Sequence, residues 1–340
     1  MAETLTGTLT GTPAVSLSDI LYDTLIVGGG PAGLSAALHL AWHGRPVLVL
    51  DRVTGPLFYT LEKLYNVPGM PEARGIEIQK ILKAQAEARG AKVKRANVIE
   101  AAGTEGDFRL RTEAGETFRG KTVLLATGAA RHHPLVNGDF EPCFAYAGKG
   151  NLFYCPDCEA PEIRDKDTIV VGVGKTASAA AMALGLSRYT DRMRVLATGD
   201  GEIPAELAAR LEQRGIAVTH GEIKHLVGAT KRTLAGLELA DGRTLQADCF
   251  FVSSPTLGRV DLVQQLGVEL APTGNHALPK SQRGDTGVPG VWIAGDLRPM
   301  TQQVSVAMGT GNIAAVMIDQ HLRKQDIAPA KASAKSPGGT

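Results

Sequence analysis

Two cysteines separated by two residues, Cys155 and Cys158, are the residues of this chain best suited to redox chemistry. Thiols at this spacing can close a disulfide across a single turn, and a nearby helix N-terminus stabilises the thiolate near neutral pH. Half of a zinc site is one alternative, but it needs two further ligands at close spacing. Cys143 and Cys249 each stand alone, and the adjacent pair His132-His133 lacks the usual gap between ligands. We therefore predict a redox pair, with zinc binding and purely structural thiols as the alternatives.

A glycine fingerprint, Gly28-x-Gly30-x-x-Gly33, separates an apolar strand predicted over 22–28 from a helix predicted over 31–43. The first glycine permits a tight turn, the second lets backbone approach a pyrophosphate, and the third lets helix and strand pack closely. The helix N-terminus offers free N–H groups to the phosphates. Asp51 ends the next strand, where a carboxylate can bind a ribose hydroxyl. The pattern predicts a dinucleotide site, and a glycine turn needed only for packing is the alternative.

A second fingerprint, Gly172-x-Gly174-x-x-Ala177, follows the dithiol and lies between a predicted strand, 168–172, and a predicted helix, 176–187. Alanine is an accepted third small residue in this motif. The run Gly174-Lys175-Thr176 is not part of an NTPase phosphate loop, because that motif needs glycine where this chain has Ile169. The sequence therefore predicts a second dinucleotide site.

Strand and helix alternate around both fingerprints, which predicts two βαβ units with parallel strands. An antiparallel excursion is expected at 108–111 and 116–119, with later strands at 216–221, 234–239, 247–253 and 290–296 and a helix at 304–323. We predict an α/β fold of two Rossmann-like, doubly wound dinucleotide-binding domains, the second inserted into the first. The expected segments are a flexible leader 1–20, a first domain 21–146 and 253–323, an inserted domain 147–252 and a disordered tail 324–340.

Composition restricts the class of protein. A chain of 340 residues, 44% of them hydrophobic, can bury two substantial cores. The formal net charge of +1 gives no reason to expect a nucleic acid or an anionic membrane as partner. Four cysteines are too few for a disulfide scaffold and fit a reducing compartment. With neither a secretion signal nor an apolar run of membrane-spanning length, the chain is expected to be a soluble cytoplasmic protein.

The order of these motifs over residues 22–323 resembles the low-molecular-weight thioredoxin reductase family of FAD-dependent pyridine nucleotide-disulfide oxidoreductases. Ala126-Thr127-Gly128, Gly295-Asp296 and Gln302-Gln303-Val304 followed by Gly309-Thr310-Gly311 also match it. The resemblance implies that Asp296 holds the FAD ribityl chain and that Asn66, Gln303 and Val304 lie near the flavin ring. The FAD residues it implies are Gly28, Gly30, Pro31, Ala32, Gly33, Asp51, Asn66, Thr127, Gly128, Gly295, Asp296, Gln303 and Val304. The NAD(P)H residues it implies are Gly172, Gly174, Lys175, Thr176 and Ala177.

The resemblance also assigns roles at the dithiol. Cys158 would face the flavin and receive its electrons, and Cys155 would attack the disulfide of a thioredoxin-like protein or a small molecule. Glu159 stands where the family usually has an aspartate that protonates a leaving thiolate. Proton donation near pH 7 requires a pKa raised above the ordinary value of about 4.3, and a solvated charge at the domain edge is the alternative. The family usually forms homodimers.

Three departures from the family pattern leave the electron donor and the acceptor open. The family's His-Arg-Arg cluster, which grips the 2′-phosphate of NADPH, is replaced by Thr198-Gly199-Asp200 after the second inserted strand. NADPH, NADH and a protein donor such as ferredoxin therefore remain candidates. Gly55-Pro56-Leu57-Phe58 replaces a Gly-Gly-Gln-Leu stretch near the flavin, and Ala160 replaces a glycine after the dithiol. A flavoprotein with incidental cysteines and a non-catalytic redox sensor are the rival functions.

Overall fold

The computed structural model of the protein describes residues 16–327, so most of the predicted leader and tail lies outside the described residues. Leu17–Asp19 form a short 3-10 turn inside the predicted leader. The elements of the first part are β1 (Leu21–Val27), α1 (Pro31–Trp42), β2 (Val47–Asp51), β3 (Lys63–Leu64), β4 (Ala73–Arg74), α2 (Gly75–Ala88), β5 (Lys92–Arg95), β6 (Val98–Thr104), β7 (Asp107–Thr112), β8 (Thr117–Leu125) and β9 (Ala129–Arg131).

The inserted part contains the dithiol and carries its own sheet. Its elements are β10 (Leu152–Phe153), α3 (Pro156–Glu159), β11 (Thr168–Gly172), α4 (Thr176–Leu186), β12 (Met193–Ala197), α5 (Ala205–Gln213), β13 (Ala217–His220), β14 (Ile223–Gly228), β15 (Leu234–Leu239), β16 (Thr244–Gln246) and β17 (Cys249–Ser253). The chain then returns through β18 (Thr256–Gly258), α6 (Asp261–Gln265), β19 (Val291–Ile293) and α7 (Val304–Asp326).

Two sheets confirm the predicted architecture. The first has the strand order β5-β2-β1-β8-β7-β6 with β19 beside β8, and β1, β2, β5, β8 and β19 are parallel. The second has the order β10-β17-β11-β12-β13, all parallel, next to the antiparallel sheet β14-β15-β16. The chain leaves the first domain after β9 and re-enters it at β18, and these two strands pair antiparallel. The exact boundaries at 146 and 252 stay predictions.

Two of the boundaries that differ from the sequence prediction lie near the end of the chain. The strand expected over 290–296 ends at Ile293, because the chain turns into a 3-10 helix over Gly295–Leu297 with Gly295 at φ +69°. The final helix runs to Asp326 rather than 323, so residues 324–326 are helical where the tail was expected to begin. Within residues 16–327, no helix combines the length and the apolar character needed to cross a membrane.

Small residues allow α1 and α7 to pack closely, and this contact positions both the first fingerprint and the start of α7. A Cβ atom at Gly311 would lie 2.0 Å from the carbonyl oxygen of Ala32, so only glycine fits there. An ion network, mostly buried, joins the segment after α1 to the C-terminal part of α7. Arg45 donates to Asp319 at 2.9 Å, to Asp23 at 3.2 Å and to Asp326 at 2.7 Å.

Candidate redox site and its dinucleotide loops

The dithiol closes across one turn at the start of α3. Cys155 and Cys158 form a disulfide with their Cα atoms 5.3 Å apart. Cys155 caps the helix, Pro156 is its first residue, and the N–H groups of Cys158 and Glu159 donate to the Cys155 carbonyl at 3.1 and 2.9 Å. Both cysteines are half-buried. The local sequence therefore forms the predicted intramolecular pair, and its geometry fits a redox-active disulfide. Cys143 and Cys249 are free and buried.

The disulfide lies against the first residue ahead of α7. The amide nitrogen Nε2 of Gln303 is 3.5 Å from Sγ of Cys158 and 3.8 Å from Sγ of Cys155. Asn66 donates from Nδ2 to Oε1 of Gln303 at 2.9 Å and so orients this amide. Gln303 is the N-cap of α7, which begins at Val304. The dithiol of the inserted domain thus contacts Gln303, one of the residues that the family resemblance implies lie near a flavin ring.

Glu159 holds the backbone of the dithiol turn. Its Oε2 atom accepts the N–H groups of Tyr154 and Cys155, both at 2.8 Å. Burial raises the pKa of Glu159 above its ordinary value, although these two hydrogen bonds and nearby Arg131 oppose the shift. The carboxyl is therefore half-buried beside the pair rather than a solvated charge at the domain edge. Its role as a proton donor stays a prediction.

Arg131 is a residue of this site that the sequence analysis did not single out. It ends β9, donates to the Tyr154 carbonyl oxygen, and lies 3.4 Å from Oε1 of Gln302. Burial lowers the pKa of Arg131, and the carboxyls of Glu159 and Asp296 act in the opposite direction. The Arg131 guanidinium therefore links β9 of the first domain to the dithiol turn. Its only sequence signal is a basic residue three positions after Gly128.

His133 also contributes to this region. Its Nδ1 atom is 2.6 Å from the Tyr154 hydroxyl, and its ring packs edge-on against Tyr154 and Phe144. Burial lowers the pKa of His133, with neighbouring His132 acting in the same direction. A neutral, packed imidazole supports the residue that immediately precedes Cys155. The spacing of the histidines did not reveal this contact, because it depends on Tyr154 from a different loop.

The first fingerprint has the geometry that a dinucleotide requires. Gly28 has φ +106°, and a Cβ atom there would lie 2.2 Å from the Ala126 carbonyl oxygen. A Cβ atom at Gly33 would lie 1.9 Å from the Gly28 carbonyl oxygen, whereas one at Gly30 would meet nothing within 4 Å. Gly28 and Gly33 therefore serve packing, and the bare backbone at Gly30 leaves room for a pyrophosphate. Asp51 lies beside Gly29 at the same loop.

Four further predicted FAD residues, Thr127, Gly128, Gly295 and Asp296, follow β8 and β19, which lie beside β1 in the first sheet. Gly295 approaches Ala32, since a Cβ atom at Gly295 would lie 2.8 Å from the Ala32 Cβ. Asp296 follows it, and burial raises the pKa of this carboxyl to about 6. Gly128 has φ +70°, and Thr127 donates from its hydroxyl to the Arg259 carbonyl at 3.1 Å. The residues present therefore fit FAD.

The second fingerprint has a different conformation. The positive φ falls at Gly174, at +88°, and not at the first glycine, Gly172. The helix begins one residue later in the motif than α1 does, with Lys175 as N-cap and Thr176 as the first helical residue. The predicted NAD(P)H residues, Gly172, Gly174, Lys175, Thr176 and Ala177, are together at the carboxyl edge of the inserted sheet.

Comparisons with known proteins agree with the fold. Residues 22–311 match the family described as pyridine nucleotide-disulphide oxidoreductase. A thioredoxin reductase from Aquifex aeolicus is 30% identical over 331 residues, covering 93% of this chain and 99% of that protein. An alkyl hydroperoxide reductase component from Xanthomonas campestris pv. phaseoli is 29% identical, over 92% of this chain and 59% of the longer relative.

A solved structure titled as a thioredoxin reductase from Bacillus anthracis superposes with a TM-score of 0.80 at 21% identity, covering 90% of this chain and 100% of that one, which supports the fold. The family implies an oxidoreductase that carries FAD and a nicotinamide cofactor. This chain belongs to the pyridine nucleotide-disulphide oxidoreductase family and, within it, to the thioredoxin reductase-like flavoproteins.

Proposed function

We propose that this protein is an FAD-dependent dithiol-disulfide oxidoreductase in which Cys155 and Cys158 carry electrons between the flavin and a disulfide substrate. The observation that carries the proposal is the contact of Gln303 with both sulfur atoms. Through this contact, the redox pair lies beside the residues predicted to surround the flavin ring. A disulfide with only a structural role would not require a contact with a side-chain amide of the first domain.

The residues of the first domain would hold FAD in a fixed order along the groove. The N-terminus of α1 and the open backbone at Gly30 would hold the pyrophosphate, and Asp51 would bind a ribose hydroxyl. Asp296 would bind the ribityl chain, and Gln303 would lie at the ring. FAD supplies a two-electron reservoir when bound. The chain's own contribution is to hold Cys158 on the flavin side, 3.5 Å from the Gln303 amide.

Thiol-disulfide exchange then transfers the electrons to the substrate. In the reduced pair, the Cys155 thiolate attacks one sulfur of the substrate disulfide, forms a mixed disulfide and releases one substrate thiolate, which takes up a proton. The Cys158 thiolate next attacks Sγ of Cys155, which re-forms the intramolecular disulfide and releases the second substrate thiolate. Glu159, with its raised pKa, supplies a proton to a leaving thiolate.

A cleft beside the dithiol offers room for a substrate. It has a volume of about 1070 Å³, and its lining includes Cys158, Glu159, Lys63 and Tyr65. The names of the relatives support a thioredoxin-like protein as partner, and a small disulfide also fits a cleft of this size. The homodimer and the cytoplasmic location stay predictions.

A reductive titration tests the proposal without any assumption about the natural donor. Anaerobic dithionite should consume about two equivalents per flavin in the holoprotein, because the flavin and the disulfide each take two electrons. Cys155→Ser and Cys158→Ser should each consume about one. The matched control is Cys143→Ala, which alters a free buried cysteine and should keep the wild-type stoichiometry. Equal stoichiometry in Cys155→Ser and wild type would refute a redox role for the pair.

A further inference from the structure

We propose that the segment 198–201, which follows β12, closes the second glycine fingerprint, so that the inserted domain does not accept the pyrophosphate of a nicotinamide dinucleotide. The inference rests on the proposed function and concerns only the source of its electrons. It contrasts with the nicotinamide cofactor that the family implies. Three features of the loop support closure: the hydrogen bonds at the start of α4, the approach of Gly199 to Gly174, and the local charge.

Backbone carbonyls already occupy the N-terminus of α4. The N–H group of Thr176 donates to the Asp200 carbonyl at 3.3 Å. The Thr176 hydroxyl lies 3.5 Å from the Gly199 carbonyl oxygen and 3.4 Å from that of Asp200. A dinucleotide pyrophosphate binds a helix through these first N–H groups. Two carbonyl oxygens directed at the same position would repel the phosphate oxygens.

The same segment lies directly on the glycine loop. A Cβ atom at Gly199 would lie 1.9 Å from the carbonyl oxygen and 2.8 Å from the nitrogen of Gly174. The two backbones are therefore in contact, and only glycine fits at position 199. Phosphate oxygens need that space, because the second glycine of the motif is the point of closest approach to a pyrophosphate. Gly199 therefore takes up space on one side of Gly174, which is itself exposed.

The first fingerprint provides an internal comparison. At the end of β2 the Asp51 side chain lies against Gly29, and the Val53 N–H group donates to Oδ1 of Asp51 at 3.2 Å. Gly30 remains open, with nothing within 4 Å of its Cβ position. At Gly174 the corresponding Cβ position meets only Pro255 Cδ, at 3.8 Å, so the two loops differ in the contacts that the neighbouring segment makes with the helix start and with the glycine backbone.

Charge acts in the same direction as shape. Asp200 is exposed and lies in the closing segment, next to the start of α4. Its negative charge disfavours a phosphate group nearby, where arginine would give bidentate contacts. A ligand that opened the loop would have to displace the Gly199 and Asp200 carbonyls from Thr176 and would then meet this carboxylate. The fingerprint itself carries one cation, Lys175, the exposed N-cap of α4, and the closing segment adds no phosphate-binding side chain.

Direct binding tests the inference on the FAD holoprotein. NADPH and NADH, each up to about 1 mM, should produce neither a binding heat nor anaerobic bleaching of the visible flavin band. Gly199→Ala must lift the segment from Gly174, so it should gain at least about tenfold in NADH affinity. Gly185→Ala is the matched control, because a Cβ atom at this α4 position meets nothing within 4 Å. Thr176→Val removes the hydroxyl contacts, so its NADH affinity should also rise, as that of Gly199→Ala does.

The possible results separate the inference from the proposed function. Binding of either dinucleotide by wild type in the micromolar range, with flavin bleaching, would overturn the inference and leave the dithiol exchange intact. Folded, flavin-loaded Gly199→Ala and Thr176→Val proteins that still bind no NADH would overturn the assignment of closure to residues 198–201. Dithiothreitol, a small dithiol, should bleach the flavin in wild type but not in Cys155→Ser. If dithiothreitol did not bleach the wild-type flavin, the result would count against the proposed function alone.

Discussion

Replacing Asp296 by asparagine should stabilise the apoprotein in a pH-dependent way. Burial raises the pKa of Asp296 from its ordinary 3.8 to about 6, with Arg131 opposing the shift. The folded state therefore binds this proton more tightly than the unfolded chain does. Its contribution to stability is present below about pH 4 and is lost as the pH rises through about 6. One pKa unit corresponds to about 1.4 kcal/mol, so ionising the buried carboxyl costs about 3 kcal/mol at neutral pH.

Urea unfolding of the apoprotein measures this cost. The free energy of unfolding of Asp296→Asn, minus that of wild type, should grow by about 2 to 3 kcal/mol between pH 4 and pH 7.5. Glu212→Gln changes an exposed carboxyl of α5 and serves as the control, for which the difference should stay constant. In the same variant, FAD affinity should fall if the ionised carboxylate binds the ribityl hydroxyls. A difference that does not depend on pH would refute the burial argument.

Three further predictions concern the buried ion network, the first fingerprint and the contact with the dithiol. Arg45→Met should cost about 1.5 to 3 kcal/mol in urea unfolding, because it removes one of the two guanidinium groups that pair with Asp319, whose side chain is 2% exposed, and leaves Arg323 as the other. The loss should shrink as the pH falls and Asp319 is protonated, and a loss below about 1 kcal/mol would show the network to be dispensable. Gly30→Ala should leave the unfolding free energy of the apoprotein unchanged while lowering FAD affinity at least about tenfold. Gly33→Ala should lower both the unfolding free energy and the FAD affinity, because its Cβ would lie 1.9 Å from a carbonyl oxygen. Gln303→Leu should slow bleaching of the flavin by dithiothreitol about tenfold at unchanged flavin content, and an unchanged rate would contradict a role for this amide in positioning the sulfur atoms.

Much of the fold followed from local signals in the sequence. The βαβ unit around Gly28–Gly33 was predictable because its apolar strand, glycine turn and helix are contiguous, and each obeys its own periodicity. The antiparallel excursion in β7 and β8 was found for the same reason. The end of β19 could not be predicted from local signals, because the turn at Gly295 arises where the backbone packs against Ala32 from α1. At the end of α7, Asp326 pairs with Arg45, a contact between residues distant in sequence that local signals could not show.

By itself, the sequence determined the fold class, the disulfide-forming pair and the identity of the glycine loops, since each of these is specified within one strand, turn or helix. Only the tertiary structure decided that Gln303 meets Cys158 and that Arg131 reaches the Tyr154 carbonyl, because these contacts join segments brought together by the docking of two domains. It also decided that the Asp200 carbonyl accepts the Thr176 N–H group at the second fingerprint, whereas the Cβ position of Gly30 in the first is unobstructed. The glycine spacing of the two is almost the same, but the path of the backbone after the neighbouring strand determines whether the N–H groups at the helix start are free.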